Sequence, residues 1–179
     1  AGDYKHSECH LEDGELHPQA GSKEKIDVTG GWHDAGDYGK YVVNAGITVG
    51  TLLMAYEMFP EKFSADDLNI PESGNKTPDI LDEIKFELDW LFKMQRSDGA
   101  VYFKVTHENF EPFIMPEYDK GARLILPVSS TATADFASVM ARAYRVFSKF
   151  DKSFATKCLT SAEKAWKYLS QNPEIFPKN

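Results

Sequence analysis

The sequence predicts an all-α protein with little β structure, its helices packed as antiparallel pairs in the manner of a helical toroid or solenoid. Three observations support this. Four segments, 40–58, 77–97, 129–150 and 152–171, carry apolar residues at helical spacing. The joints between them are alternately long and short, and a short joint makes antiparallel neighbours. Only residues 100–106 have the look of a strand.

The first 40 residues are polar, rich in His, Glu, Asp and Gly, and show no periodicity, so they read as irregular structure pinned to the rest. In the helix over 40–58, Val42, Val43, Ile47, Val49, Leu52, Leu53, Ala55, Tyr56 and Phe59 are apolar on more than one face, which predicts a largely buried helix. Pro60 to Thr77 is a connection. Thr77 as N-cap, Pro78 at the first helical position and the acidic Asp79, Asp82 and Glu83 open the second helix. Ile80, Ile84, Leu88, Leu91 and Phe92 line it, and Ser97-Asp98-Gly99 ends it. After the short strand the chain runs as loop to residue 128, with Phe110, Phe113 and Tyr118 too aromatic for disorder. The third helix shows Phe136, Val139, Met140, Ala143, Tyr144 and Phe147 on one side. The fourth shows Phe154, Cys158, Leu159, Ala162, Trp166 and Leu169.

A length of 179 residues fits one domain, 1–179, with a substantial core. The net charge of −8 argues against nucleic acid or an anionic membrane as partner and leaves a neutral polymer compatible. No apolar run approaches the ~20 residues that span a bilayer, and residues 1–10 lack the apolar core of a secretory signal. The two cysteines, Cys9 and Cys158, allow one disulfide but no disulfide framework, and Cys158 falls on an apolar helix face as a core residue.

The chemistry concentrates in Gly30–Gly39, GGWHDAGDYG. Asp34 and Asp37 stand three residues apart, with His33, Trp32 and Tyr38 beside them and four glycines breaking any regular element. Carboxylates move protons and aromatic faces pack on pyranose rings, so the set suits sugar chemistry. Two carboxylates from one short loop cannot flank a bond from both sides, but they can address one water together. A plainer reading has Asp37 capping the following helix and Asp34 making an Asx-turn. Cys9, His10 and His33 are zinc-type ligands, three where a structural zinc takes four. Surface histidines in a polar segment are the simpler alternative.

GGWHDAGDYGKYVV, residues 30–43, resembles the signature around the catalytic base of glycoside hydrolase family 9, the inverting cellulases. TPDILDE (77–83), WLFKMQRSDG, VYFKVT (101–106), Met115-Pro116-Glu117 and PVSSTATADFA (127–137) resemble further family segments in the right order. The resemblance implies an (α/α)6 barrel of which this chain is an incomplete, N-terminal part. It places the catalytic base on Asp37, with Asp34 holding and polarising the nucleophilic water. It implies substrate contacts at Trp32, Tyr38 and Phe103, the last standing where many relatives have a sugar-contacting His. It also implies a structural zinc on Cys9, His10 and His33, whose fourth ligand, a cysteine, falls upstream of Ala1. Calcium is common in the family, and the oxygen-rich loop Glu72–Asp82 is the candidate here, with a solvated acidic loop leading into a helix N-terminus as the equal alternative.

The family's catalytic acid, a Glu, falls beyond Asn179. The chain alone is therefore expected to hydrolyse β-1,4-glucan very poorly, as part of a longer secreted enzyme that carries appended carbohydrate-binding or dockerin modules. The competing readings are a non-catalytic carbohydrate-binding or structural module, and a catalytic metal site made of the same cluster.

Overall fold

The computed structural model describes residues 6–21, 24–110 and 112–177. Four helices dominate: α1 (Val42–Met58), α2 (Asp79–Lys93), α3 (Ser130–Phe147) and α4 (Lys152–Gln171). α3 packs along α4 and against α1, and α1 against α2. α2 reaches α4 through the edge-to-face pair Phe92–Phe154, whose ring centroids are 5.7 Å apart. Between α1 and α2 runs a connection with one 3-10 turn, Pro60–Lys62.

The helix ends follow local chemistry. Ser129 caps α3 by accepting from the Ala132 amide, and Asp151 caps α4 by accepting from the Phe154 amide. The cap of α2 is Pro78, not Thr77, whose amide is instead held by Asn75 Oδ1 at 2.6 Å. Lys40 and Tyr41, expected at the start of the first helix, form a strand instead. α2 ends at Lys93, earlier than Ser97-Asp98-Gly99, and those residues form the following turn. Gly99 sits there at φ +100°, and a Cβ on it would lie 2.3 Å from the Lys164 carbonyl oxygen of α4. Backbone cannot yield as a side chain can, so Gly99→Ala is expected to destabilise the fold by roughly 1–3 kcal/mol, read as a lower urea midpoint.

The β content exceeds the single strand expected. β1 (Glu15–Leu16), β2 (Lys40–Tyr41), β3 (Lys104–His107) and β4 (Arg123–Ile125) form a four-stranded sheet in the order β1-β4-β3-β2. β1 runs parallel to β4, and the other pairs are antiparallel, with Lys40 opposite Val105 and His107 opposite Arg123. The sheet pins the N-terminal region to the helices, helped by Gly14 and Ile26, which exchange both backbone hydrogen bonds.

The core gathers Val49, Leu53, Ile84, Leu88, Trp90, Phe136, Met140 and Phe147, with Val105 and Ile125 from the sheet. α1 is not largely buried: Val42, Ala45, Val49 and Leu53 face inward, while Ile47, Met54 and Met58 are exposed. Trp166 of α4, expected on the buried stripe, is 69% exposed, and Phe110, Phe113 and Tyr118 also lie at the surface. Cys9 and Cys158 are both free thiols, so the disulfide that the sequence allowed is not formed. Burial pushes the Cys158 thiol up to about 12, in keeping with a core residue. Among the described residues no helix is long and apolar enough to cross a membrane.

Candidate active site

The glycine-rich segment forms a tight loop closed by two backbone bonds, Asp34 amide to Gly39 carbonyl at 2.8 Å and Tyr38 amide to Ala35 carbonyl at 3.0 Å. The loop runs straight into β2, whose pairing with β3 fixes its far end. Its near end is held by Lys40, buried in the core, whose Nζ donates to the carbonyls of Val28 (2.6 Å) and Gly30 (3.0 Å) and pairs with Asp13 Oδ2 (2.8 Å). A Cβ on Gly39 would fall 2.5 Å from Tyr41 Cε2, so glycine there lets the Tyr41 ring fold back over the loop.

That ring completes the carboxylate site. Tyr41 Oη donates to Asp37 Oδ2 at 2.8 Å, and the Gly39 amide donates to Asp37 Oδ1 at 2.9 Å. Asn44, in the first turn of α1, donates from Nδ2 to Asp34 Oδ1 at 2.6 Å. Asp37 is half-buried and Asp34 exposed. Burial, and then the hydrogen bond to Asp37, raise the Tyr41 phenol, so it stays a proton donor to the carboxylate at neutral pH. The helix-capping alternative does not hold for Asp37: Tyr41 is the N-cap of α1 and makes no side-chain cap. The turn-type bond within the loop belongs to Asp37, which accepts from the amide two residues on, rather than to Asp34.

The aromatics occupy different places. Trp32 is gripped by α2 at both ends, its amide on Glu87 Oε2 and its indole Nε1 on Glu83 Oε1, each at 2.6 Å. It lines a cavity of about 300 Å³ together with His33, Asp34, Tyr41, Asn44, Thr48 and Glu87. Glu87 is fully buried, and burial lifts its carboxyl to about 7. Tyr38 turns the other way: its ring lies 5.2 Å from that of His33 and 5.8 Å from that of His10, and its hydroxyl donates to the Ile114 carbonyl. Phe103 is half-buried on the sheet, where Lys104 Nζ stands 5.6 Å from its ring centroid and 4.9 Å from that of Tyr41.

Behind the loop, Cys9, His10 and His33 converge, their ligand atoms all within 4.8 Å of one another. Tetrahedral zinc with bonds of about 2.0–2.3 Å sets its ligand atoms ~3.3–3.8 Å apart, so a thiol and two imidazoles this close fit the ion with small movements. Burial first, and then neighbouring His10 and Arg123, lower His33 to about 4, and burial also lowers His10. Both rings are therefore neutral and able to ligate at pH 7. The acidic loop gives no comparable site. Asp66 accepts from the amides of Gly74 and Lys76, Asp79 from the Leu68 amide and Ser73, and Asp82 from Asn75. Cys9, His10 and His33 are the one group of three or more His, Cys, Asp or Glu suited to a metal among the described residues, and the carboxylates of the Glu72–Asp82 loop are taken up by its own turns and the start of α2.

A model of glycosyl hydrolase family 9 matches residues 2–178. The chain belongs to that family. It is 47% identical over 172 residues to Endoglucanase D of Acetivibrio thermocellus, covering 95% of this chain and 28% of that protein. Among solved structures, a metagenome-derived glycoside hydrolase family 9 endoglucanase superimposes with a TM-score of 0.89 at 45% identity, over 93% of this chain and 31% of that one. A Zn-binding triple mutant of the family 9 endoglucanase J30 superimposes with a TM-score of 0.85 at 40% identity, over 94% and 33%. The chain thus spans less than a third of the length of Endoglucanase D, and it is a fragment of a family 9 catalytic domain. The Cys9, His10 and His33 cluster has the donor set that holds a metal ion, and one of the structural neighbours is itself a Zn-binding form.

The sequence singled out Asp34, Asp37, Cys9, His10 and His33, and the structure gathers them on and behind one loop. Tyr41, Asn44 and Glu87 were missed. Glu87 had a legible signal, since it lies three residues from Ile84 and four from Leu91, a charge inside an apolar stripe.

Proposed function

We propose that this chain is the base-bearing, N-terminal part of one secreted family 9 catalytic domain that cleaves β-1,4-glucosidic bonds with inversion. Asp37 takes a proton from water. The water oxygen bonds to the anomeric carbon as the glycosidic C–O bond breaks, and a general acid outside these 179 residues protonates the departing oxygen. Asp34, held by Asn44, orients the same water. Trp32 and Phe103 border the glucan path, while Tyr38 supports the loop from the metal side. The observation that carries this reading is the Asp34/Asp37 loop with Tyr41 and Asn44 locked onto its carboxylates.

The exposed Ile47, Met54 and Trp166 support an (α/α)6 barrel whose remaining helices cover these faces. Zinc on Cys9, His10 and His33, completed by a ligand outside the chain, would stiffen the loop from behind and take no part in the chemistry. An insoluble polymer cannot enter a cell, which fits a secreted enzyme with appended substrate-binding or docking modules.

The test is stereochemical. The first product released from a β-1,4-glucan by the domain containing this chain, followed by ¹H NMR, should be the α-anomer. Initial release of the β-anomer would overturn the reading.

A further inference from the structure

Asp119 lies on the far side of His10 from the carboxylate loop, 4% exposed, just before β4. Its two oxygens are engaged by two histidines and a backbone amide. Oδ2 is 2.9 Å from His10 Nε2, and Oδ1 is 3.0 Å from His107 Nε2 and 3.1 Å from the Gly121 amide. A carboxylate can only accept, so both imidazoles carry their proton on Nε2. For His10 this leaves Nδ1 unprotonated, and Nδ1 is the atom that meets His33 Nε2 at 3.0 Å inside the metal cluster.

The surroundings keep the carboxylate ionised without fixing it elsewhere. Arg123 Nη1 stands 3.9 Å away, too far for a hydrogen bond, while Arg123 Nη2 and Lys40 Nζ turn to Asp13 at 3.3 and 2.8 Å. Two buried carboxylates and two buried cations balance, so the histidines need no charge to neutralise the site.

We propose that Asp119 is the positioning residue of the metal site, holding His10 in the single tautomer and ring orientation that present Nδ1 to zinc, in a carboxylate–histidine–metal arrangement. His107 acts as its counter-brace, taking the second oxygen so that the carboxylate cannot rotate away from His10. The inference rests on Cys9, His10 and His33 being zinc ligands. It is independent of the hydrolytic reaction.

Long-range ¹H–¹⁵N correlation spectra of the unmodified catalytic domain that carries this chain, with one equivalent of zinc, should show His10 protonated on Nε2 and metal-shifted on Nδ1. Competition with a chromophoric chelator should show Asp119→Asn binding zinc 10–100-fold more weakly. A proton on His10 Nδ1 overturns the proposal, and because that observation needs no variant it stands even if Asp119→Asn fails to fold. A folded Asp119→Asn chain with unchanged zinc affinity also overturns it, leaving Asp119 as a mere counter-ion for Arg123. If the catalytic domain that carries this chain, with its full ligand set, takes up no zinc, the ligand assignment itself is wrong and the role of Asp119 falls with it.

Discussion

Asparagine in place of Asp37, introduced into the catalytic domain that carries this chain, should lower kcat by about 10²–10⁴ with KM little changed. The effect should fall on the chemical step because Asp37 contributes little to the fold. It is half-buried and makes two polar contacts, to Tyr41 Oη and to the Gly39 amide, and an asparagine carbonyl can still accept one of them. What asparagine cannot do is take a proton from water. Asp34→Asn should be milder in kind, since Asn44 would keep an acceptor and only the orientation of the water would suffer. Steady-state kinetics on a soluble β-glucan measure both. A loss in KM alone would place Asp37 among binding groups instead.

The second large effect is on stability and its pH dependence. Glu87 has a carboxyl raised from 4.5 to about 7 by burial, so the folded chain binds this proton more tightly than the unfolded chain does. Stability contributed at this site is therefore fully present below 4.5, falls as pH rises through about 7, and is level above it, a loss of up to about 3 kcal/mol. Glu87→Gln keeps a carbonyl to accept the Trp32 amide and removes the titration. Urea midpoints of the two chains should converge near pH 5 and separate near pH 8, with the glutamine variant the more stable at the higher pH. Any fixed cost of burying the amide would shift both points equally. Parallel stability curves would mean that Glu87 ionises freely in the folded state. Because Glu87 also holds the amide of Trp32, two residues from Asp34, its ionisation bears on the loop that holds Asp34 and Asp37.

The helices were legible because their signals are local. α4 begins after Asp151 and ends at Gln171, within the span its apolar spacing predicted, and Ser129 caps α3 just before its first residue. What escaped was long-range. β4 is three residues long, and its pairing with β1 joins Leu16 to Ile125, a contact no window of sequence contains. The same holds within the site. Asp34, Asp37 and His33 stood out as neighbours in sequence, and Tyr41 and Asn44 lay only one turn further on. Asp119 reaches His10 only because the chain folds back through β3 and β4 across 109 positions. Tyr38, counted with the sugar-facing aromatics, has a positive φ of 52°, and its ring lies against His10 and His33. Residue type suggested what these side chains could do, and backbone geometry decided where they do it.

The central claim is that Asp37 is the base that activates water, with the proton donor supplied from elsewhere in the domain. The most direct measurement is chemical rescue of Asp37→Ala by azide, a nucleophile that needs no base. Azide should restore turnover of a β-1,4-glucan and yield the α-glycosyl azide, because the acid and the binding cleft remain intact. Full activity of Asp37→Ala without azide, or a β-configured azide product, would contradict the account.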